Sequence, residues 1–264
     1  MQLIDIGVNL TSTRFHKDLD DVIARAKAQG VTQQLVTGTD LESSREALTL
    51  CQQHPDYLRC TAGFHPHHAS DNNADTWQQL QALWQRPEVI AIGETGLDFN
   101  RNFSTPQEQL DSFELHLQAA CDIDLPLFLH ERDAEDAFFE LLSHYRNNLK
   151  AGAILHCFTG SKAWLMRLLD LDIHFGITGW VCDERRGGDL REAVPLIPAN
   201  RLMVETDAPY LLPRDMRPKP KSSRNEPAYL PHIAATVAQL RNENVEHVAT
   251  QTTANAKALF KLEG

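Results

Sequence analysis

Three residues able to bind a metal stand at the same point of three successive sequence units. Glu94 follows Val89-Ile90-Ala91-Ile92-Gly93, His130 follows Pro126-Leu127-Phe128-Leu129, and His156 follows Gly152-Ala153-Ile154-Leu155. Short apolar runs of this kind read as buried strands. Each group therefore stands where a strand gives way to a loop, and three such ends can share one rim. Two imidazoles and a carboxylate there form a candidate metal site. Asp207 follows a further run, Arg201–Glu205, and His65 and His67 follow Leu58–Gly63.

A divalent ion held by such groups polarises a phosphoryl or carbonyl oxygen and makes hydroxide available near neutral pH. Glu94 can bridge two ions, and Asp207 can position or deprotonate the attacking water. His65 and His67 can contact a phosphate or protonate a leaving oxygen, and their types do not choose between these roles. Singly, each residue has an ordinary explanation as a turn cap or a satisfied core histidine. The coincidence at corresponding points of successive units carries the metal reading. Two His and one carboxylate also describe non-haem iron sites. Here the groups come from three strands with further carboxylates and histidines around them, which favours hydrolysis.

The elements that must position these groups alternate along the chain. Strands are expected at Leu3–Asn9, Gln33–Thr37, Leu58–Gly63, Val89–Gly93, Leu127–His130, Ala153–His156, Ile173–Ile177 and Arg201–Glu205. Helical stripes fall between them: Val22, Ile23, Ala26 and Val31; Trp77, Leu80, Leu83 and Trp84; Leu110, Phe113, Leu117 and Ala120. Thr39-x-x-Glu42 and Thr105-Pro106-Gln107-Glu108 read as capping boxes, and Ser161 as an N-cap. Eight strands alternating with helices predict a (β/α)8 TIM barrel, whose site lies at the C-terminal strand ends. A doubly wound sheet is the alternative, weakened because no G-x-G-x-x-G turn follows the first strand. No interior linker breaks the chain, so residues 1–264 are expected to form one domain.

Composition narrows the setting. The formal charge of −11 argues against indiscriminate binding of polyanions, and the apolar content of 42% can supply a large core. The five cysteines are scattered without a C-x-x-C, which points to a reducing compartment without disulfides. No basic leader with an apolar run opens the chain, and no apolar run approaches the roughly 18 residues of a membrane span. A cytoplasmic monomer with no membrane association is expected.

Six motifs together resemble the TatD family of metal-dependent deoxyribonucleases over essentially the whole length. They are Gly63-Phe64-His65-Pro66-His67, Ile92-Gly93-Glu94-Thr95-Gly96-Leu97-Asp98, Leu129-His130-Glu131-Arg132, His156-Cys157-Phe158-Thr159-Gly160, Glu205-Thr206-Asp207-Ala208-Pro209-Tyr210-Leu211 and Arg224-Asn225-Glu226-Pro227. The resemblance implies an amidohydrolase-like barrel that cuts phosphodiesters, acting as a 3′→5′ exonuclease on single-stranded DNA and RNA. It implies Glu94, His130 and His156 as metal ligands and Asp207 as the acidic residue after strand eight. Most such relatives open with Asp-x-His-x-His, whereas this chain has Asp5-Ile6-Gly7-Val8-Asn9. One firm metal site is therefore expected, with a second weakened by Gly7 and Asn9 and left to the oxygens of Glu94, Asp207 and Asn9. Oxygen donors favour Mg²⁺, with Mn²⁺ or Zn²⁺ as alternatives.

A single-strand nuclease needs positive charge along the backbone path and flat groups for bases. Arg214, Arg217, Lys219, Lys221 and Arg224 lie within eleven residues, and Arg185 and Arg186 follow strand seven. Arg101 is flanked by Phe99 and Phe103 after strand four. These are the candidate substrate contacts, together with His67. A metal-dependent hydrolase of small amides or esters is the competing enzyme reading, and a scaffold that has lost catalysis is the non-enzymatic one.

Overall fold

The computed structural model describes residues 1–262. Its eight strands are β1 (Leu3–Val8), β2 (Val31–Val36), β3 (Leu58–Ala62), β4 (Val89–Asp98), β5 (Leu127–Arg132), β6 (Ala153–Leu155), β7 (His174–Ile177) and β8 (Leu202–Val204). They form one parallel sheet in chain order. The ends of the sheet meet through the bridge Val8–Ala208 and the backbone bonds Asn9 N to Ala208 O and Asp207 N to Gly7 O, both 2.8 Å. Sequential order with joined ends is a barrel and removes the doubly wound alternative.

Nine helices among the described residues surround the strands: α1 (Leu19–Ala28), α2 (Leu41–Gln53), α3 (Ala74–Leu83), α4 (Pro106–Asp122), α5 (Glu135–Tyr145), α6 (Lys162–Leu169), α7 (Gly188–Ala193), α8 (Leu230–Arg241) and α9 (Val245–Phe260). None is long and apolar enough to cross a membrane. The caps at Thr105–Glu108 and Ser161 form as expected. The box before α2 is Asp40–Ser43 rather than Thr39–Glu42, because the Asp40 carboxylate takes the Ser43 N–H at 2.7 Å. Val31 opens β2 instead of continuing the α1 stripe.

Two cores follow from the period of two along each strand. Leu127, Leu129, Ala153, Leu155, Leu202 and Val204 face the helices. Phe128, Ile154 and Met203 face inward with Ile4, Ile6, Leu35 and Ala91. Ala256, Leu259 and Phe260 of α9 join this inner cluster. They close the barrel at its N-terminal end, so its polar chemistry is confined to the opposite mouth.

Candidate active site

The alternation delivers the site residues. His130 follows inward Phe128 by two positions, and His156 follows inward Ile154 by two, so both imidazoles turn into the mouth. Glu94 needs a different device. Ala91 belongs to the inner core and Ile92 to the outer, so strict alternation would send Glu94 outward. The pairing slips between Gly93–Phe128 and Thr95–Leu129, which leaves Glu94 as an extra residue on β4. Such a bulge reverses the parity, and Leu97 accordingly faces outward. β4 therefore runs through Glu94 to Asp98, five residues beyond its expected end. Gly96 has φ +140°, and a Cβ there would lie against the His130 backbone carbonyl.

Glu94 is the hub. Its Oε1 lies 2.7 Å from His156 Nε2, 3.0 Å from His130 Nδ1 and 3.4 Å from His65 Nε2. One carboxylate oxygen offers about two lone-pair sites, so three imidazoles crowd it. His130 Nε2 is buried and has no hydrogen-bond partner among the described residues. Neutral imidazole nitrogens and a carboxylate oxygen are all donors to a divalent cation, so the donor set fits a metal. The donor atoms of His65, Glu94 and His130 lie within 4.8 Å of one another.

Burial works against charge at every member of this cluster, and the partners decide the outcome. Burial alone would raise Glu94, but the His156 and His65 imidazoles hold its carboxyl well below the usual range. Burial opposes charging of His156, yet Glu94 and Glu205 push it well above the ordinary imidazole value. His130 is shifted up by Asp98 and Glu94 against the same burial cost, whereas burial wins at His65 and drives it well down. Asp207, at the edge of the cluster, is pushed up to about 7 by burial. Asn9 Nδ2 donates to Asp207 Oδ1 at 2.8 Å. Asn9 thus turns its amide N–H₂ toward Asp207.

A supporting layer fixes the imidazoles. Glu205 is fully buried, accepts the Cys157 N–H and places Oε2 3.4 Å from His156 Nδ1, while Phe128 stacks on the other side of the ring. A Cβ on Gly7 would come within 2.2 Å of Glu205 Oε2. The carboxylate of Glu205 thus occupies the ground that a side chain at position 7 would need. Asp98 accepts from His67 Nε2 at 2.8 Å, and the His67 ring meets Phe103 edge-on. Asp5 is turned away from the mouth. It takes the Thr206 N–H and hydroxyl at 2.9 and 2.6 Å, which clasps β1 to the β8 end just before Asp207.

A basic pocket of about 610 Å³ opens on the same rim, starting at Gly179 after β7 and Pro209 after β8. Arg14, Arg185, Arg186, Arg214, Lys219 and Lys221 line it with Trp180 and Tyr210. Arg186 lies 4.8 Å over the Trp180 ring, and Asp183 anchors both Arg186 and Arg214. Arg185 and Arg214 therefore fall together as the sequence suggested. Arg217 lies outside this lining, its guanidinium donating to the Arg214 and Met216 carbonyls. Arg101 is exposed on the loop after β4, next to the Asp98–His67 pair. Arg224, a candidate substrate contact in the sequence, is engaged within the fold. Its two guanidinium nitrogens each lie 2.7 Å from an Asp18 oxygen, and one also meets Glu226 at 2.7 Å. It stacks on Phe15 and cross-links a loop to the start of α1. The sequence reading missed Glu205, whose signal is a carboxylate at an inward position of an apolar strand. It also assigned no role to Arg14, Trp180 and Tyr210, which line the pocket.

Residues 4–261 match the model of TatD-related DNases. A protein of Erwinia amylovora named 3'-5' ssDNA/RNA exonuclease TatD is 55% identical over 260 residues, covering 98% of this chain and 100% of the relative. The Salmonella typhimurium protein of the same name is 54% identical over 260 residues, covering 98% and 99%. Among solved structures, the TatD homologue YjjV of Escherichia coli superposes with a TM-score of 0.89 at 26% identity, covering 99% of this chain and 98% of that one. A TatD-family hydrolase of Entamoeba histolytica has the same fold, with a TM-score of 0.88 at 24% identity over 98% of both chains. This chain belongs to the TatD-related DNase family.

Proposed function

We propose that this chain is a divalent-metal-dependent 3′→5′ exonuclease that hydrolyses phosphodiesters of single-stranded DNA and RNA at the Glu94 cluster. The observation that carries the reading is the convergence of three imidazoles on one carboxylate oxygen, at a barrel mouth whose rim also carries a basic, aromatic pocket. The names of the relatives supply the polarity and the substrate class. Glu94, His130 and His156 would hold one ion firmly, and Glu94 with Asp207 would hold a second more weakly. Mg²⁺ is the ion we favour, with Mn²⁺ and Zn²⁺ as alternatives. Such an ion supplies Lewis acidity toward a phosphoryl oxygen and lowers the pKa of water.

The chain's own residues do the rest. Asp207 has Oδ1 fixed by Asn9, so Oδ2 is presented to take the proton of the attacking water. As the new phosphorus–oxygen bond forms, the bond to the departing sugar oxygen breaks, and that oxygen needs a proton. His67 is half-buried at the mouth and backed by Asp98, so we assign it this role. His65 lies deeper, against Glu94, and would help to hold the ion. Trp180 and Tyr210 offer faces for bases, while Arg14, Arg185, Arg214, Lys219 and Lys221 offer charge to the backbone. The five cysteines are unpaired, consistent with a cytoplasmic setting, and we read the chain as a monomer.

The test is digestion of a single-stranded oligonucleotide labelled at either end, with Mg²⁺, Mn²⁺ or EDTA, by the wild type and Glu94→Ala. Shortening from the 3′ end, stopped by EDTA and by the substitution, is the expected result. A folded wild type that cleaves nothing with any of the metals would overturn the proposal.

A further inference from the structure

A second set of metal-binding side chains lies outside the Glu94 cluster. Cys182 closes a short 3-10 turn after β7 (Gly179–Cys182), Asp215 stands in the loop after β8, and His232 is in the first turn of α8. The ligand atoms of the three lie within 4.8 Å of one another. His232 Nε2 is 2.6 Å from Asp215 Oδ1. Cys182 Sγ reaches the Thr236 hydroxyl, one turn along α8, at 3.4 Å. Met216 and His232 also line a groove of about 510 Å³ that opens to solvent, which gives an ion a way in and leaves room for a water ligand.

We infer that Cys182, Asp215 and His232 bind a zinc-type divalent cation, at a site distinct from the Glu94 cluster. Thiolate, imidazole and carboxylate together suit Zn²⁺, whereas Mg²⁺ and Ca²⁺ take oxygens. Binding releases the Cys182 thiol proton and moves the imidazole proton from Nε2 to Nδ1. His232 Nε2 and Asp215 Oδ1 then part from a hydrogen bond to about 3.3 Å, the edge of a tetrahedron with bonds of about 2.0 Å. The trio also resembles a Cys–His–Asp nucleophile, but its geometry argues otherwise. Cys182 is 1% exposed, and burial pushes its thiol up to about 12, so without a cation it is protonated and out of reach.

The three ligands come from three segments. The turn ending at Cys182 continues into Asp183, Arg185 and Arg186, one wall of the basic pocket. The loop with Asp215 carries Arg214, Lys219 and Lys221, the facing wall. His232 belongs to the helical shell. The ion ties both walls to α8, a consequence that rests on reading the pocket as the substrate path, although the ion site itself does not.

Cobalt substitution reads the site directly, because only a thiolate ligand gives a near-ultraviolet charge-transfer band with Co²⁺. Chelator-stripped wild type titrated with Co²⁺ is expected to develop this band and to lose it on adding Zn²⁺. Cys182→Ser should abolish it and retain one zinc fewer per chain after dialysis. Cys157→Ser and Glu94→Gln should keep it. His232→Gln alters a partly exposed side chain and serves if Cys182→Ser does not fold. It should weaken the cobalt affinity at least tenfold. No band in the wild type, a band that survives Cys182→Ser, or equal zinc content in the two would overturn the site. With Mg²⁺ saturating, His232→Gln should raise KM for a single-stranded oligonucleotide and spare kcat. An unchanged KM, with the band present in the wild type, would leave the ion and reject its role in the pocket.

Discussion

The Glu94 cluster and the basic pocket share one rim and are built in opposite ways. The cluster hangs on strands. Glu94 lies within β4 and His130 within β5, and His156 follows β6 directly. Glu94 and His156 are buried and His130 partly so, and they are mutually paired and backed by Glu205, Asp98 and Phe128. The pocket hangs on loops, with exposed cations drawn from residues 14, 185–186 and 214–221 and one buried anion, Asp183, anchoring two of them. The difference separates two tasks. Reacting atoms must be held within fractions of an ångström, which rigid strands and dry surroundings allow. A chain of phosphates and bases tolerates looser contacts, and solvent screens them.

The contrast breaks if substitutions in the two regions act alike. Glu94→Gln should give the largest effect. It removes the negative charge common to three imidazoles, and kcat should fall by more than about 100-fold, since partners that only orient ligands already command roughly 10–100-fold. Circular dichroism and thermal melting should show a folded chain, and KM should be little changed. A Glu94→Gln enzyme with ordinary turnover would move the chemistry elsewhere. Glu205→Gln tests the layer behind. Its neutral amide still fills the space beside Gly7 but loses the charge facing His156 Nδ1. Metal affinity should fall by roughly 10–100-fold, with activity recovered at high metal concentration. A loss that excess metal does not rescue would make Glu205 a fold element alone.

How far each region could be read from sequence follows the same division. His130 and His156 were legible because an apolar run of alternating parity names the next inward residue. Glu94 was legible in identity but not in cause. It reads as the residue after a strand, whereas it lies inside one and is turned inward by a bulge that leaves no local mark. The barrel was legible from repetition. The role of α9 was not, because its small residues Ala249, Ala256 and Thr252 make a weak stripe, and its last turn packs end-on into the barrel. Arg224 shows the limit most clearly. In sequence it belongs to a basic cluster after β8, but its partner Asp18 lies 206 residues away. One-dimensional proximity of like charges says nothing about which of them is already neutralised in the fold.

Arg214 and Arg217 sharpen this point, being three residues apart with only Arg214 in the pocket lining. Arg214→Ala should raise KM several-fold at low salt and lessen the salt slope by about 0.7, the counterion share of one single-strand phosphate contact. Arg217→Ala should do less on both counts. Equal effects would mean that the whole loop, not the lined cavity, presents charge to the substrate.

Arg224→Ala should have the smallest effect on activity, and its signature is stability. Asp18 is held down to about 2 from 3.8, first by its hydrogen bonds to Arg224 and then, against a small burial cost, by Arg25. A carboxyl lowered in the folded state contributes stability above its unfolded value and loses it as pH falls through the folded one. The pair is partly exposed, so its contribution near neutral pH is about 1 kcal/mol at most. Urea unfolding should therefore separate wild type from Arg224→Ala near pH 7, and the gap should close as pH falls from about 4 to about 2, the interval between the two values. Turnover and KM per folded molecule should stay at the wild-type level. A KM rise matching that of Arg214→Ala would return Arg224 to the phosphate path. The cross-link to Asp18 would then be one that substrate opens, not a fixed tie between the loop and α1.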